Sequence, residues 1–279
     1  MAVKAGAPRP ADGRMPLVEH LREFRNRAGW SMLALTVAVV VCFVLWEPIL
    51  DFLRQPYLRT EAGRSNDQLF AFGPFEEFAV RLRTAFIAGA VFSSPVWLYH
   101  LGAFITPALH RHERRYAAGF LGASLLLFGV GVTMAYLTLD KGLNFLLTVG
   151  GDDLTNLLGV KDYLNFVTLT LLAFGFAFLF PVVVAFLNLV GVFPAARMRS
   201  WRRGMVVAIF AAAAVLTPSQ DPFTFVIMAV PLYGLYEVCI LGARLRERRA
   251  RRKAAAHPDA QLADDEASQV DLTPSRLDV

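Results

Sequence analysis

The sequence predicts an all-α integral membrane bundle of six transmembrane helices, with both termini in the cytoplasm and short fifth and sixth helices. Three observations predict it. The 279 residues are 56% hydrophobic and only 18% charged, with a mean hydropathy of +0.46. The uncharged residues fall in long runs. The basic residues gather in alternate connections between those runs.

Taken in order, residues 28–46 give 19 positions without a charge, 84–109 give 26, 116–139 give 24 and 163–196 give 34. Each is long enough for a hydrocarbon core of ~30 Å, which needs roughly 20 apolar residues. Two further runs are shorter. Residues 205–216 hold 12 apolar positions, and residues 222–236 hold 15, followed by Glu237 and six more uncharged positions. By length alone the 12-residue run reads as a buried or interfacial helix.

Charge placement makes these two runs spans. Lys and Arg number six in residues 1–27, three in 110–115, four in 197–203 and seven in 244–253. The alternate connections hold three in 51–67, two in 140–162 and none in 217–222. That is 20 basic residues against 5, and the positive-inside rule places the richer set in the cytoplasm. For 197–203 and 244–253 to share a side, the chain must cross twice between them. The expected location is the cytoplasmic (inner) membrane, multi-pass, and no cleavable signal peptide is evident.

One membrane domain is expected over residues 15–245. Residues 1–14, rich in Ala, Gly and Pro, read as a disordered leader, and 246–279 as a disordered cytoplasmic tail without apolar periodicity. Pro95, Pro181 and Pro231 lie inside apolar runs and are expected to kink their helices. The fourth run is expected to leave the hydrocarbon at Gly191, and the polar stretch 51–74 to cap the outer side. Cys42 and Cys239 lie in apolar runs and read as small packing residues, not as a disulfide or metal site.

Catalytic chemistry is not legible. The chain has no P-loop, no zinc-binding histidine pair and no nucleophile elbow. His110, His112 and Glu113, and His20 beside Glu19 and Glu23, read as solvated or arginine-paired residues, so no enzyme activity, cofactor or metal is expected. Two segments stand out because acids sit among bases. In residues 15–27, Leu17, Leu21 and Phe24 recur at i, i+4, i+7, which predicts an amphipathic helix on the inner surface. Glu19 and Glu23 lie on its polar side. In residues 110–115, Glu113 is the one acid among three arginines. A glutamate beside cytoplasmic headgroups gains nothing from their negative potential. Its presence points to a positively charged partner, internal or external.

These segments carry a resemblance. Residues 17–27 (LVEHLREFRNR), 94–99 (SPVWLY), 104–115 (FITPALHRHERR), 134–136 (MAY), 216–218 (LTP) with Asp221, and 231–237 (PLYGLYE) resemble the TatC family, the multi-spanning core of the twin-arginine protein translocase. The resemblance implies binding of the twin-arginine signal peptides of folded cargo at the cytoplasmic face. Glu23 and Glu113 match the family's recognition glutamates, Phe104 and Pro107 the loop beside them, and His20, Arg25 and Arg27 the supporting amino-terminal motif. Tyr136, Thr217, Pro218 and Asp221 match positions on the outer half, and Glu237 the acid near the inner end of the last helix. Implied partners are small single-span TatA and TatB subunits and further copies of the chain in the bilayer, driven by the proton-motive force and without nucleic acid. The chain departs from the family pattern at Leu179 and Phe180, where many members carry an acid or amide before the proline. A secondary transporter of a small solute is the alternative. It would need polar groups at mid-membrane on discontinuous helices, and the first four runs carry no charge there.

Overall fold

The computed structural model describes residues 17–60, 63–64, 73–105, 114–149, 159–217 and 221–256. Every regular element among them is an α-helix. In chain order these are α1 (Leu17–Val44), α2 (Trp46–Leu58), α3 (Pro74–Phe92), α4 (Ser94–Ile105), α5 (Arg114–Val149), α6 (Val160–Ala177), α7 (Phe180–Leu189), α8 (Ala195–Ser200), α9 (Arg202–Leu216) and α10 (Pro222–Ala256).

The stretch expected to lie flat on the inner surface is instead the first part of α1. No proline interrupts Leu17–Val44, so one 28-residue helix rises about 42 Å at ~1.5 Å per residue. That exceeds a ~30 Å core, and the charged first turns extend past the apolar part. Past α1, the expected cap over 51–74 contains ordered helix. α2 turns Trp46, Leu53, Pro56 and Tyr57 inward against α5. The turn between α1 and α2 is pinned by Arg81 of α3. Its guanidinium donates to the Phe43 carbonyl at 3.0 and 3.3 Å and lies 4.6 Å from the Phe43 ring centroid.

The three prolines act differently. At Pro95, α3 and α4 meet at 56°, and the Trp97 indole donates to the Ala90 carbonyl at 2.9 Å, which the break leaves without its helical partner. At Pro181 the helix is interrupted after Ala177, yet Val160–Leu189 still forms one apolar span. Around Pro231, α10 continues without interruption. Gly191 has φ +84° and follows the end of α7 at Leu189, so the helix stops where the sequence suggested the run would end. α10 also runs to Ala256, beyond the expected domain boundary at 245. Between Gly242 and Pro258 the sequence has neither proline nor glycine, and Arg, Ala and Glu favour the helix.

α6 sits in the middle, packed on α3, α5 and α9. Val167 and Phe174 are fully buried there. Close approach of α5 and α6 needs Gly131, where a Cβ would lie 2.6 Å from the Phe174 carbonyl oxygen. α1 lies at one edge and packs on α3 and α4, with Gly89 of α3 against the Val39 backbone. α9 lies at the other edge against α10. The outward faces of α1 and α9 are apolar, with Val37, Val40, Val207 and Val215 exposed. Four segments are long and apolar enough to cross a membrane: Val18–Val44, Ala118–Thr148, Val160–Leu189 and Pro222–Arg249. The bent pair α3–α4 makes five.

Candidate functional site

Two arginine–glutamate pairs stand out among the described residues. The first is at the amino-terminal end of α1. Because helical residues four apart share a face, Glu23 and Arg27 meet. Arg27 donates through Nη2 at 2.6 Å and Nε at 3.0 Å, both to Glu23 Oε1. Each side chain is about one quarter exposed. The second carboxylate oxygen, Oε2, is buried and has no hydrogen-bond partner among the described residues. A buried acceptor left unmatched costs roughly 1–3 kcal/mol, so this oxygen is a standing demand for a donor.

α4 supplies the wall of this site. The Phe104 ring stacks on His20, with centroids 4.5 Å apart and planes at 17°, and meets Phe24 at 5.2 Å. His20 and Phe24 of α1 thus meet Phe104 of the neighbouring α4, on the stretch of α1 that also carries Glu23 and Arg27. Arg25 is exposed on the far side of the helix. Glu113 and Pro107 lie outside the described residues. In the sequence Phe24 belongs to the apolar stripe with Leu17 and Leu21. Its aromatic type, one residue after the acid, was the signal available.

The second is at the start of α9 against α10. Glu237 Oε2 accepts from Arg202 Nη2, and Glu237 Oε1 accepts from the Tyr233 hydroxyl at 3.0 Å. This pair joins residues 35 apart in sequence. Sequence reasoning placed Arg202 only in a basic connection. The positions expected on the outer half divide between separate contacts. Tyr136 donates to the Phe52 carbonyl at 2.9 Å and stacks on its ring at 4.4 Å, which anchors α2 on α5. Asp221 is the N-cap of α10: its Oδ1 accepts from Thr224 N–H at 2.7 Å, with Pro222 at the first helical position. Gly142 of α5 lies against this cap, where a Cβ would sit 2.6 Å from Thr224 Oγ1. Thr217 is buried and donates to the Ala213 carbonyl at 2.8 Å. Pro218 lies outside the described residues. Among the described residues no group of three His, Cys, Asp or Glu could hold a metal ion.

Long apolar helices, bent or broken at two of three prolines and ending in ion pairs, define a multi-spanning membrane protein. A family profile described as Sec-independent protein translocase protein (TatC) matches residues 19–231. TatC of Frankia casuarinae is 46% identical over 270 residues, covering 94% of this chain and 74% of that protein. TatC of Aquifex aeolicus is 35% identical over 238 residues, covering 84% of this chain and 97% of that protein. A crystal structure of the twin arginine translocase receptor TatC in DDM is 34% identical, superposes with a TM-score of 0.68, and covers 80% of this chain and 99% of that one. The chain belongs to the TatC family of Sec-independent protein translocase components. That family has a transport role, which takes the place of the small-solute transporter considered from the sequence.

Proposed function

We propose that this protein is the core subunit of a twin-arginine translocase, and that it binds the twin-arginine signal peptides of folded cargo at the cytoplasmic face of the inner membrane. The observation that carries the reading is the Glu23 carboxylate, held by Arg27 through one oxygen while the other is buried and unmatched. An arginine is always charged and presents a planar fork of donors that fits a carboxylate. One signal arginine takes Glu23 and the next takes Glu113. A pair of arginines meeting two separate acids is a read-out that a single charge does not satisfy. In this reading Phe104 and Pro107 flank the acids, and His20 and Arg27 support Glu23 from α1; Arg25 belongs to the same amino-terminal motif but faces away.

The proposed topology is six spans within a membrane domain of residues 15–245, with the leader 1–14 and the tail from 246 both cytoplasmic. Five are the apolar segments above, counting α3 with α4 as one, and α9 is the sixth. The 20-to-5 distribution of basic residues supports the orientation. α9 has 15 residues, a rise of about 22 Å, so the bilayer thins beside it. Tyr136, Thr217, Pro218 and Asp221 then shape the outer half, and Glu237 the inner end of the last span. Single-span TatA and TatB subunits and further copies of the chain assemble around this frame, with the proton-motive force as energy source.

The deciding experiment crosslinks the purified protein, with Glu23 intact, to a twin-arginine signal peptide and to its twin-lysine counterpart, with the probe carried on the peptide. Strong crosslinking to the arginine peptide and weak crosslinking to the lysine peptide is expected. Equal yields from the two peptides would overturn the assignment.

A further inference from the structure

The ion pair at α9 and α10 lies in an open groove of about 290 Å³, lined by Arg202, Glu237, Val238, Ile240, Leu241 and Arg244. Its charge is unbalanced. Glu237 has committed one oxygen to Arg202 and the other to Tyr233. Arg202 Nε is nevertheless buried with no partner, and Arg244 makes no ion pair or hydrogen bond among the described residues. Two guanidinium groups therefore face one carboxylate, and donors remain unmet on both. The rest of the lining is aliphatic, with Val238 and Leu241 more than half exposed.

The position of the groove selects its occupant. Arg202 begins α9, and the apolar residues 205–216 follow it, so with α9 as the sixth span of the proposed topology the groove opens where the hydrocarbon meets the headgroups. Deeper along α10, Val230 and Val226 continue the exposed aliphatic stripe at helical spacing from Leu241 through Glu237. A ligand that matches both features has a compact anion with several acceptor oxygens and an apolar chain beside it. Basic pockets between membrane helices at such a level suit phospholipid headgroups. We propose that this groove binds an anionic glycerophospholipid. Its phosphodiester accepts hydrogen bonds from Arg202 Nε and the Arg244 guanidinium, and one acyl chain lies along Leu241 and Val230. The bound lipid ties the short α9 to α10. This goes beyond the signal-peptide reading and does not depend on it.

The test uses the full-length protein in a neutral detergent, with phosphatidylglycerol or phosphatidylcholine titrated in and lipid retention read by native mass spectrometry. Phosphatidylglycerol should be retained in preference to phosphatidylcholine. Arg244→Gln should weaken that retention about tenfold, the effect of losing hydrogen bonds to a charged group. The double variant Arg202→Gln with Glu237→Gln removes the ion pair without stranding a charge and should weaken it similarly. Arg251→Gln, an exposed residue outside the groove, should retain the lipid as the parent does. If the double variant does not fold, Arg244→Gln decides alone. Unchanged phosphatidylglycerol retention in Arg244→Gln, or an equal loss in Arg251→Gln, overturns the proposal. The first outcome would leave the groove free for an acidic side chain of a partner helix, and the second would mean a diffuse positive surface.

Discussion

Glu23 and Glu237 are both glutamates paired with arginine near the ends of membrane helices, and they are held in opposite ways. Glu23 meets Arg27 within one helix, four residues away, and leaves an oxygen buried and unmatched. Glu237 meets Arg202 across two helices and has both oxygens engaged, the second by Tyr233. The first pair can open without separating any packed elements. Opening the second releases an edge helix, α9, which buries only Ile209 and Ala213 along its apolar length. A local pair with an unfilled acceptor suits exchange with an incoming ligand. A carboxylate with both oxygens engaged, tying two helices together, suits assembly.

The sharpest way to break this contrast is charge reversal at the exchangeable site. Glu23→Lys should weaken twin-arginine peptide binding by about 30-fold or more, since loss of a desolvated charge pair costs ~2–5 kcal/mol. Its thermal midpoint in detergent should stay close to the parent's. A large drop in midpoint with unchanged affinity would make Glu23 a structural counter-ion like Glu237. The next effect is the mirror image. Glu237→Gln should lower stability by about 2 kcal/mol, below the ~3–5 kcal/mol of a fully buried pair because both side chains are partly exposed. Exchange of the two residues, Arg202→Glu with Glu237→Arg, should recover part of the loss. Peptide affinity should not change in either variant, and a drop in affinity would erase the distinction. The smallest effect is at Arg27. Arg27→Gln frees the Glu23 carboxylate to rotate, so affinity measured by peptide titration should fall about threefold, near 0.6 kcal/mol. A rise instead would identify Arg27 as a competitor for the carboxylate and not its positioner.

Much of the first site was legible from spacing. Glu23 and Arg27 lie four apart in a helical pattern, so their meeting follows from helix geometry once the helix is granted. Phe104 could be named through the family resemblance, but its stacking on His20 could not, because 84 residues separate them. The second site was less legible still. Arg202 looked like any member of a basic connection, and nothing in residues 197–203 singles it out as the partner of Glu237. The amphipathic stretch 17–27 misled in another way. Its periodicity was helical, as expected, but periodicity does not say whether a helix lies along the membrane or continues into it, and α1 continues.

The sequence by itself determined the α-helical membrane class, the approximate extent of the apolar segments and the helix end near Gly191. These are local properties: hydropathy over a window, a proline's missing donor, a glycine's tolerance of positive φ. Even there context intervened, since Pro95 goes with a 56° bend while Pro231 leaves α10 uninterrupted. The tertiary structure alone decided which charges pair across helices, which carboxylate oxygen is left unmatched, and which aromatic rings wall the site. Those outcomes depend on how closely helices approach, and the approach is set by contacts such as Gly89 on Val39 and Gly131 on Phe174. A side chain's partner lies within a few ångströms in space but dozens of residues away in the chain, and only packing brings the two together.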